Sequence, residues 1–400
     1  MHIAIDAREL AGKPTGVGTY LAHLLDEWLR MRSAAAHRWT LYVPENGGRP
    51  FDSHRGGALA RGRQAAGEGR ACPAEAAGRM REAHGGSQTA GVAPFERRLV
   101  RGRAGTWWEQ RALAGAIRRD RPDVLFAPGY TAPLATTVPI VLTVHDVSFF
   151  ARPDWFGPRE GFRRRLITRW SARRARSIVT VSEFSKSEIV AWLGVPEARV
   201  HVIRHGISRP ERPLQADCRP PIVLYVGSIL NRRRVPDLIR VFASVLSKVP
   251  DARLEIVGDN RTHPQEDLGG LASSLGVLDR VMLRSYVADE ELASLYGQAR
   301  VFAFLSEYEG FGFTPLEALA HSVPIVVLDT PVAREVYGAA ALYVPAGDLA
   351  ATADALMRLL LDPGLRAAQL QQAEGILARY CWSEAARLTL DVIEQGGARG

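Results

Sequence analysis

Residues 301–335 have the sequence VFAFLSEYEGFGFTPLEALAHSVPIVVLDTPVARE, and this stretch decides the fold class. Two apolar runs, residues 301–305 and 325–328, predict short buried strands. A glycine-containing loop and a helical segment lie between them, so the stretch predicts a strand, a loop, a helix and a strand in succession. Such units build parallel sheets with helices on both faces, and we therefore expect an α/β protein.

The loop between these strands, Glu309 to Phe313, is predicted to lie beside an anion. Thr314 is a favourable N-cap residue, Pro315 suits the first helical position, and Glu317 would complete a capping box. Backbone N–H groups at a helix N-terminus favour an anion such as a diphosphate. A carboxylate beside that anion, Glu309, would bind hydroxyl groups rather than phosphate.

Length and composition describe a globular chain of about two domains. The 400 residues are 46% hydrophobic and 24% charged, and the longest apolar runs are too short to span a membrane. The N-terminus, MHIAIDAREL, lacks a signal-peptide pattern. Cys72, Cys218 and Cys381 are far apart and lack the spacing of a metal site, which fits a reducing cytoplasm.

The chain is basic, with a net charge of +8 and a pI of about 9.7. Such a balance is compatible with nucleic acid, an anionic membrane surface or anionic substrates. Arginine is spread through the predicted helices, and no zinc-finger or RNA-recognition signature is present. We expect no nucleic-acid partner and attribute the charge to solubility and a nucleotide substrate.

The N-terminal segment predicts an element that faces phosphate. Residues 2–7 alternate as a strand does, and a glycine-rich turn with Gly16 and Gly18 leads into a helix for which Thr19 is the expected N-cap. The spacing of the glycines is not that of a dinucleotide-binding fingerprint.

Residues 39–44 predict a second strand, but periodicity disappears from residue 45 to residue 94. This segment has few large apolar side chains, so it cannot bury enough surface to offset the entropy of ordering it. We interpret residues 45–94 either as a long mobile loop beside a substrate site or as a disordered insertion without a function. Order resumes with a predicted helix at 107–119 and a strand at 123–127.

A further apolar run, residues 140–144, ends in the polar pair His145-Asp146. The carboxyl ends of buried parallel strands are where α/β domains present reactive groups. His145 is therefore a candidate site residue, and the alternative is that it makes a structural hydrogen bond.

Residues 158–176 predict a basic amphipathic helix in which Phe162, Leu166 and Trp170 share one face. A helix of this kind can lie on an anionic membrane surface. It can equally dock on its own sheet with its arginines in water.

The proline-punctuated stretch 209–221 predicts a linker, after which a second α/β series begins. The first strand of this series leads into Gly227-Ser228 and then into the arginine run 232–234. Fixed cations at this place could neutralise a leaving diphosphate without a metal. The alternative is a solvated basic loop.

Three of these segments together resemble a known enzyme family. Glu309 and Glu317 are separated by seven residues in EGFGFTPLEALA, residues 144–150 are VHDVSFF, and residues 231–234 are NRRR. This combination resembles the retaining glycosyltransferases of the GT-B fold, family 4, in the branch with an HD-type, mannosyltransferase-like element. The resemblance covers nearly the whole chain except residues 45–94.

The resemblance implies a GT-B fold, in which two Rossmann-like doubly wound domains face each other across a cleft. It implies an acceptor-side domain at 1–212, a nucleotide-sugar-binding domain at 213–380, and a C-terminal helix at 381–400 that returns to the first domain. The implied reaction transfers a sugar from a nucleotide-diphospho-sugar to an acceptor hydroxyl with retention of anomeric configuration, and the domains close around the donor.

The resemblance also implies roles for single residues. Glu309 would bind the donor sugar, Glu317 the ribose, and His145 would lie at the reacting face. Arg232 and Arg233 would neutralise the diphosphate, although the family usually has Lys at the second position, so Arg233 keeps the charge with a different geometry. The implied donor-binding residues are Gly16, Gly18, Gly227, Ser228, Gly310, Phe311, Gly312, Phe313, Thr314 and Glu317.

No cofactor and no metal are expected, since no Asp-x-Asp metal motif is evident. The expected partners are a nucleotide-diphospho-sugar carrying mannose or a related hexose and a saccharide or lipid-linked acceptor, in cell-surface polysaccharide or glycolipid biosynthesis. The expected location is the cytoplasm, and residues 158–176 offer a peripheral contact with the inner face of the membrane. Two alternatives stay open: a sugar-nucleotide epimerase or phosphorylase of the same fold, and a non-catalytic nucleotide-sugar-binding or membrane-scaffold protein.

Overall fold

The structure is a computed structural model, and it describes residues 1–11, 16–45, 95–210 and 219–398. Backbone contacts divide the chain into two compact units. The first unit is Met1–Ala151, Pro158–Gly206 and Tyr380–Gly400, and the second unit is Arg152–Gly157 and Ile207–Arg379. None of the helices within the four described ranges has the length and apolar character needed to cross a membrane.

The strands of the described residues form two sheets. In chain order they are β1 (His2–Asp6), β2 (Arg38–Pro44), β3 (Phe95–Val100), β4 (Val124–Ala127), β5 (Ile140–Thr143), β6 (Ser177–Thr180), β7 (Val200–Val202), β8 (Ile222–Val226), β9 (Arg253–Val257), β10 (Val281–Arg284), β11 (Val301–Phe304), β12 (Ile325–Leu328) and β13 (Ala341–Val344). The first unit has the strand order β3-β2-β1-β4-β5-β6-β7, and the second has β10-β9-β8-β11-β12-β13. All the pairings are parallel, which confirms the α/β class.

Helices connect the strands of both units. In chain order they are α1 (Val17–Trp28), α2 (Arg32–Ala35), α3 (Ala114–Asp120), α4 (Ser148–Ala151), α5 (Pro158–Arg174), α6 (Glu183–Leu193), α7 (Val235–Leu246), α8 (Leu268–Ser274), α9 (Asp289–Gln298), α10 (Phe313–Ala320), α11 (Pro331–Tyr337), α12 (Leu349–Leu361), α13 (Pro363–Leu377) and α14 (Trp382–Gly397). A π-helical turn, Trp108–Leu113, leads into α3, and short 3-10 turns lie at Arg8–Leu10, Pro153–Trp155, Glu197–Arg199, Asn231–Arg233, Leu278–Arg280 and Gly338–Ala340.

The central strands of both sheets are buried along their whole length, as parallel strands covered by helices on both faces must be. In the first unit the rings of Trp28 and Trp39 stack with their centroids 5.0 Å apart. Trp28 Nε1 donates a hydrogen bond to Ala386 O of α14 at 2.9 Å. A Cβ on Gly396 would lie 2.6 Å from Val141 of β5, so α14 packs closely on the first unit's sheet.

One local prediction for the first unit is wrong, and one strand was missed. Helix α1 begins at Val17 with Gly16 as its N-cap at φ +54°, so Thr19 lies inside the first turn and is not the N-cap. Strand β3 was not expected, because its sequence FERRLV is polar and half-exposed. It lies at the sheet edge with β2 as its one neighbour, and an edge strand does not need a continuous apolar run.

Three predictions fall partly or wholly on residues that the structure does not describe. They are the mobile loop or insertion at 45–94, of which Glu45 alone is described, the linker at 209–221, and the start of the glycine-rich turn at 12–15. Cys72 and Cys218 also lie outside the described residues. Cys381 Sγ lies 3.1 Å from Ser383 Oγ, and the expectation of a reducing compartment stays a prediction.

Candidate functional site

The loops that follow β8 and β11 meet at the carboxyl edge of the second unit's sheet. The two strands are neighbours in the middle of that sheet. The backbone N–H of Glu307, in the loop after β11, donates to Arg232 O, in the loop after β8, at 2.9 Å. The arginine run and Glu309 therefore lie at one place, although they are far apart in the sequence.

Glu309 is a buried carboxylate held by two arginines and a serine. Its Oε1 accepts hydrogen bonds from Arg233 Nε at 2.8 Å and Ser306 Oγ at 2.9 Å, and its Oε2 lies 3.7 Å from Arg232 Nη2. Burial raises the pKa of Glu309, but the charges of Arg233 and Arg232 outweigh burial and bring the pKa down to about 2. Glu309 is therefore ionised at neutral pH and can accept hydrogen bonds but cannot donate a proton.

Arg233 is fixed by contacts on several sides. Besides its bond to Glu309, its Nη1 donates to Ser228 O at 3.0 Å, and its guanidinium lies 5.1 Å from the ring centroid of Phe304. A Cβ on Gly227 would come within 2.6 Å of Arg233 Nη1, so glycine is needed for this approach. The planar fork of arginine bridges a carboxylate and a carbonyl, which a lysine ammonium does not do in the same geometry.

Two polar atoms near Glu309 are buried without a hydrogen-bond partner among the described residues: Arg232 Nε and Thr314 Oγ1. Buried polar groups are nearly always satisfied, so these two atoms require a further partner, for which an ordered water is sufficient. The third arginine of the run faces other partners, because Arg234 pairs with Asp237 at 2.8 Å and with Glu307 at 3.6 Å.

Helix α10 begins two residues earlier than predicted, and the predicted capping box is absent. Gly312 is the N-cap at φ +86°, and no side chain caps the helix, so the prediction of Thr314 as N-cap is wrong. Tyr337 Oη donates to Gly312 O at 3.0 Å. A Cβ added to Gly312 would lie 2.1 Å from Tyr337 Oη. The first turn of a helix has N–H groups without partners inside the helix, and here it starts beside Glu309.

Glu317 lies one turn into α10 and does not reach back to the helix start. Its Oε2 accepts a hydrogen bond from Tyr296 Oη of α9 at 3.0 Å. Tyr296 is buried, and its ring stacks on that of His321 at 4.9 Å, so the carboxylate of Glu317 is oriented by a rigid neighbour. The capping-box prediction for Glu317 is wrong, and its contact with a ribose stays a prediction.

A cavity of about 660 Å³ lies within the second unit. It is lined by the segments after β8, β9 and β10, among them Ile229, Asn260 and Ser285. The first of these segments also carries Ser228 and Arg232, but Arg232, Arg233 and Glu309 are not among the lining residues. The cavity is therefore at the same edge of the sheet as the arginine-carboxylate cluster but is not formed by it.

In the first unit, His145 follows β5 at the carboxyl edge of the sheet. Its Nε2 lies 3.0 Å from Pro128 O, and because a carbonyl oxygen only accepts, the proton is assigned to Nε2. Burial lowers the pKa of His145, so the imidazole is neutral at pH 7. The rings of Tyr20 and His205 lie 5.0 Å and 5.4 Å away. The structural hydrogen bond is thus present, and a role at the reacting face stays a prediction.

The first unit also contains a buried charge cluster that sequence reasoning missed. Arg8 Nη2 lies 2.8 Å from Asp6 Oδ2 and donates to Glu109 Oε1, to which Thr131 Oγ1 donates at 2.6 Å. Burial raises the pKa of Asp6 to about 6, although Arg8 opposes the shift. Asp6 and Arg8 are neighbours in the sequence, but no spacing rule could have joined them to Glu109 and Thr131, which come from distant parts of the chain.

The structure thus divides the predicted site residues between the two units. Arg232, Arg233, Gly227, Ser228, Glu309, Gly310, Phe311, Gly312, Phe313, Thr314 and Glu317 belong to the second unit, and His145, Gly16 and Gly18 belong to the first. Sequence reasoning missed Ser306, Tyr296 and Tyr337, which hold Glu309, Glu317 and Gly312. Only Ser306 left a signal, since it stands three residues before Glu309 at the end of a predicted strand.

No group of three or more metal-ligating side chains is found in the described parts of the chain. The positive charge at the cluster is supplied by Arg232 and Arg233. Metal independence stays a prediction.

We expect acid to destabilise the second unit through Glu309. Its pKa is about 2 in the folded protein, below the ordinary value of 4.5. The stabilisation that ionised Glu309 gives the folded state is therefore complete above pH 4.5 and is lost as the pH falls toward 2. The loss amounts to roughly 3 kcal/mol of unfolding free energy. Unfolding should be measured between pH 6 and pH 3 for the wild type and for Glu309→Gln. The difference between the two proteins should shrink on acidification, and a constant difference would contradict the assignment.

Two family models match the chain in succession. The model described as Glycosyltransferase Family 4 matches residues 14–209, and the model described as Glycosyl transferases group 1 matches residues 210–375. The second match includes the cluster of Arg232, Arg233 and Glu309.

Characterised proteins agree with the two models. The chain is 26% identical over 296 residues to O-antigen chain mannosyltransferase B of Escherichia coli, covering 70% of this chain and 76% of that protein. It is 29% identical over 238 residues to O-antigen chain mannosyltransferase RfbU of Salmonella typhimurium, covering 59% of this chain and 65% of that protein. Among solved structures, HepE of Anabaena in complex with UDP and glucose has a TM-score of 0.70 at 16% identity, over 98% of this chain and 99% of that one, which shows a shared GT-B fold. The chain therefore belongs to the family 4 glycosyltransferases.

Proposed function

We propose that this glycosyltransferase moves mannose or a related hexose from a nucleotide-diphospho-sugar to a hydroxyl of a saccharide or lipid-linked acceptor, with retention of configuration. The observation that carries the proposal is the cluster of Arg232, Arg233 and Glu309 beside the start of α10. Two cations and one carboxylate leave a net positive charge, which is complementary to a diphosphate.

The choice of sugar and pathway is supported by the relatives. Both O-antigen chain enzymes named above are mannosyltransferases. HepE, which shares the fold, is described in complex with UDP and glucose. A nucleotide-sugar donor and a growing surface polysaccharide or glycolipid as acceptor fit these names.

The weak basicity of Glu309 supports the proposal of retention. The chemical barrier is departure of the diphosphate from a sugar carbon that gains oxocarbenium character. Arg232 and Arg233 would neutralise the leaving diphosphate, and Glu309 would hold sugar hydroxyls and balance the positive charge. Because Glu309 has a pKa of about 2, the leaving phosphate oxygen is the better base for the acceptor proton. That oxygen is on the face from which it departs, so attack on the same face retains configuration.

No metal ion or cofactor enters the proposal, since the two arginines supply positive charge at the diphosphate. In the first unit, His145 carries its proton on Nε2, so its Nδ1 atom is the acceptor of the ring.

A panel of GDP-, UDP-, ADP- and dTDP-sugars tests the donor site by thermal shift, with and without EDTA. We expect one nucleotide class to raise the melting temperature, because a ligand that binds only the folded state stabilises it. The shift should persist in EDTA, disappear in Arg232→Ala, and remain in Arg240→Ala, whose guanidinium pairs with Asp237 on the exposed face of α7. The anomeric configuration of the first product, read by NMR, tests retention. No shift with any nucleotide, or an inverted product, would contradict the proposal.

A further inference from the structure

Helix α5 points its large apolar side chains toward solvent. It packs against the first unit through the small residues Gly161, Thr168, Ser171 and Ala172, and Ser171 Oγ accepts a hydrogen bond from Ala132 N at 3.0 Å. Small side chains let the helix lie close to the sheet. The large apolar residues of α5 are consequently left on the opposite face.

Phe162, Leu166 and Trp170 occupy that opposite face and are 63%, 47% and 50% exposed. They are spaced by four residues, so they form one line over roughly 12 Å of helix. The large apolar residues of α5 thus share one face, as the sequence predicts. That face is turned to solvent, and the opposite face packs on the protein.

A second segment of the first unit extends this line. Arg163 of α5 donates a hydrogen bond to Thr106 Oγ1, which brings the start of the π-helical segment beside α5. The next residue, Trp107, is 73% exposed, and the guanidinium of Arg111 lies 4.7 Å from its ring centroid. We call Trp107, Phe162, Leu166 and Trp170 the outward patch.

The outward patch is bordered by positive charge. Helix α5 carries seven arginines and one acidic residue, Glu160, which pairs with Arg164 at 2.8 Å. Arg165, Arg169 and Arg174 donate to backbone carbonyl oxygens, which are uncharged. Their contacts position these guanidinium groups without neutralising them.

We propose that the outward patch docks the first unit on an anionic lipid surface. Tryptophan, phenylalanine and leucine side chains would enter the boundary between headgroups and acyl chains, and the flanking arginines would bind lipid phosphates. A nucleic acid would satisfy the arginines but leave the apolar line in water. A protein partner would have to offer an apolar groove and an acidic rim together. An anionic bilayer supplies apolar chains and negative charge everywhere on its surface.

The proposal can be tested by co-sedimentation of the full chain with vesicles, and the readout does not depend on the transfer reaction. We expect binding to phosphatidylcholine vesicles that contain about 30% phosphatidylglycerol, little binding to pure phosphatidylcholine, and weaker binding at high salt. The triple variant F162S/L166S/W170S should bind anionic vesicles about tenfold or more weakly. Leu361→Ser removes a 61% exposed leucine from the second unit and should bind as the wild type does.

A charge variant, R159E/R173E, keeps the outward patch and should weaken vesicle binding by a similar factor. It tests the proposal independently if the triple variant does not fold. Melting temperatures of all variants should stay near that of the wild type, because the changed side chains are exposed. Absence of wild-type binding to anionic vesicles, or wild-type binding by the triple variant, would overturn the proposal. If light scattering shows a wild-type dimer that the triple variant converts to a monomer, while neither protein binds vesicles, the occupant is a second copy and the proposal is wrong.

Discussion

Replacing Glu309 with glutamine is expected to slow sugar transfer by about 1,000-fold. Glutamine preserves the size of the side chain but removes the negative charge that would balance the developing positive charge on the sugar. It also leaves Arg232 and Arg233 facing a neutral group, so the melting temperature should fall as well. Activity should therefore be measured well below the melting temperature, as the initial rate at saturating donor.

Glu307→Gln is the matched control for this prediction. Glu307 is two residues from Glu309, but it pairs with Arg234 at 3.6 Å and with Arg152 at 3.9 Å instead of with the cluster. It is more exposed than Glu309, and ion pairs of this kind contribute about 1 kcal/mol or less. Transfer by Glu307→Gln should stay within a few-fold of the wild type. Equal losses in both variants would show that general loop damage, and not the charge of Glu309, is responsible.

Replacing Gly258 with alanine is expected to destabilise the second unit by about 3 kcal/mol. A Cβ on Gly258 would lie 1.9 Å from Gly227 O, a backbone atom that no rotamer change can move. The backbone N–H groups of Gly227 and Gly258 are themselves bonded to Val257 O and Arg284 O at 2.8 Å and 2.7 Å. The strain would therefore spread into the loop that carries Ser228 and holds Arg233. We expect a melting temperature lower by roughly 10 °C and weaker donor binding.

Gly269→Ala provides the comparison, because Gly269 lines the same cavity as Gly258. Its added Cβ would make only an ordinary contact, 3.7 Å from Asp267 Oδ1. Gly269 lies in α8, where alanine is the better helix former, so this variant should be as stable as the wild type or slightly more stable. If Gly258→Ala unfolded at the same temperature as Gly269→Ala, the close approach of the two loops would be disproved.

Much of the fold could be predicted from the sequence, because buried parallel strands have short, continuous apolar sequences. Strands β11 and β12 lie where the runs at 301–305 and 325–328 placed them. The start of α10 could not be predicted, since Thr314 has the chemistry of a cap. What decides the start is the left-handed backbone of Gly312 and the hydroxyl of Tyr337, which comes from a later helix.

The charged residues of the candidate site could be predicted from the sequence, but the ion pair between them could not. The arginine run and Glu309 stood out as residue types, and the β8-β11 neighbour relation brings them together. The sequence did not show that Arg233 pairs with Glu309. This pairing depends on the close approach of the Arg233 guanidinium to Gly227, which has no side chain. Likewise, periodicity found the apolar line of α5 but could not tell which side packs, because small residues pack as closely as large ones.

The ion pair between Arg233 and Glu309 has a consequence for turnover. A site made of two unopposed arginines would hold the released nucleoside diphosphate tightly, and departure of that product would then limit the rate. Glu309 pairs with Arg233 and so cancels one of the two charges. If the arginines bind the diphosphate as proposed, the carboxylate would compete with the product for the Arg233 guanidinium, and we expect it to shorten the lifetime of the spent donor on the enzyme.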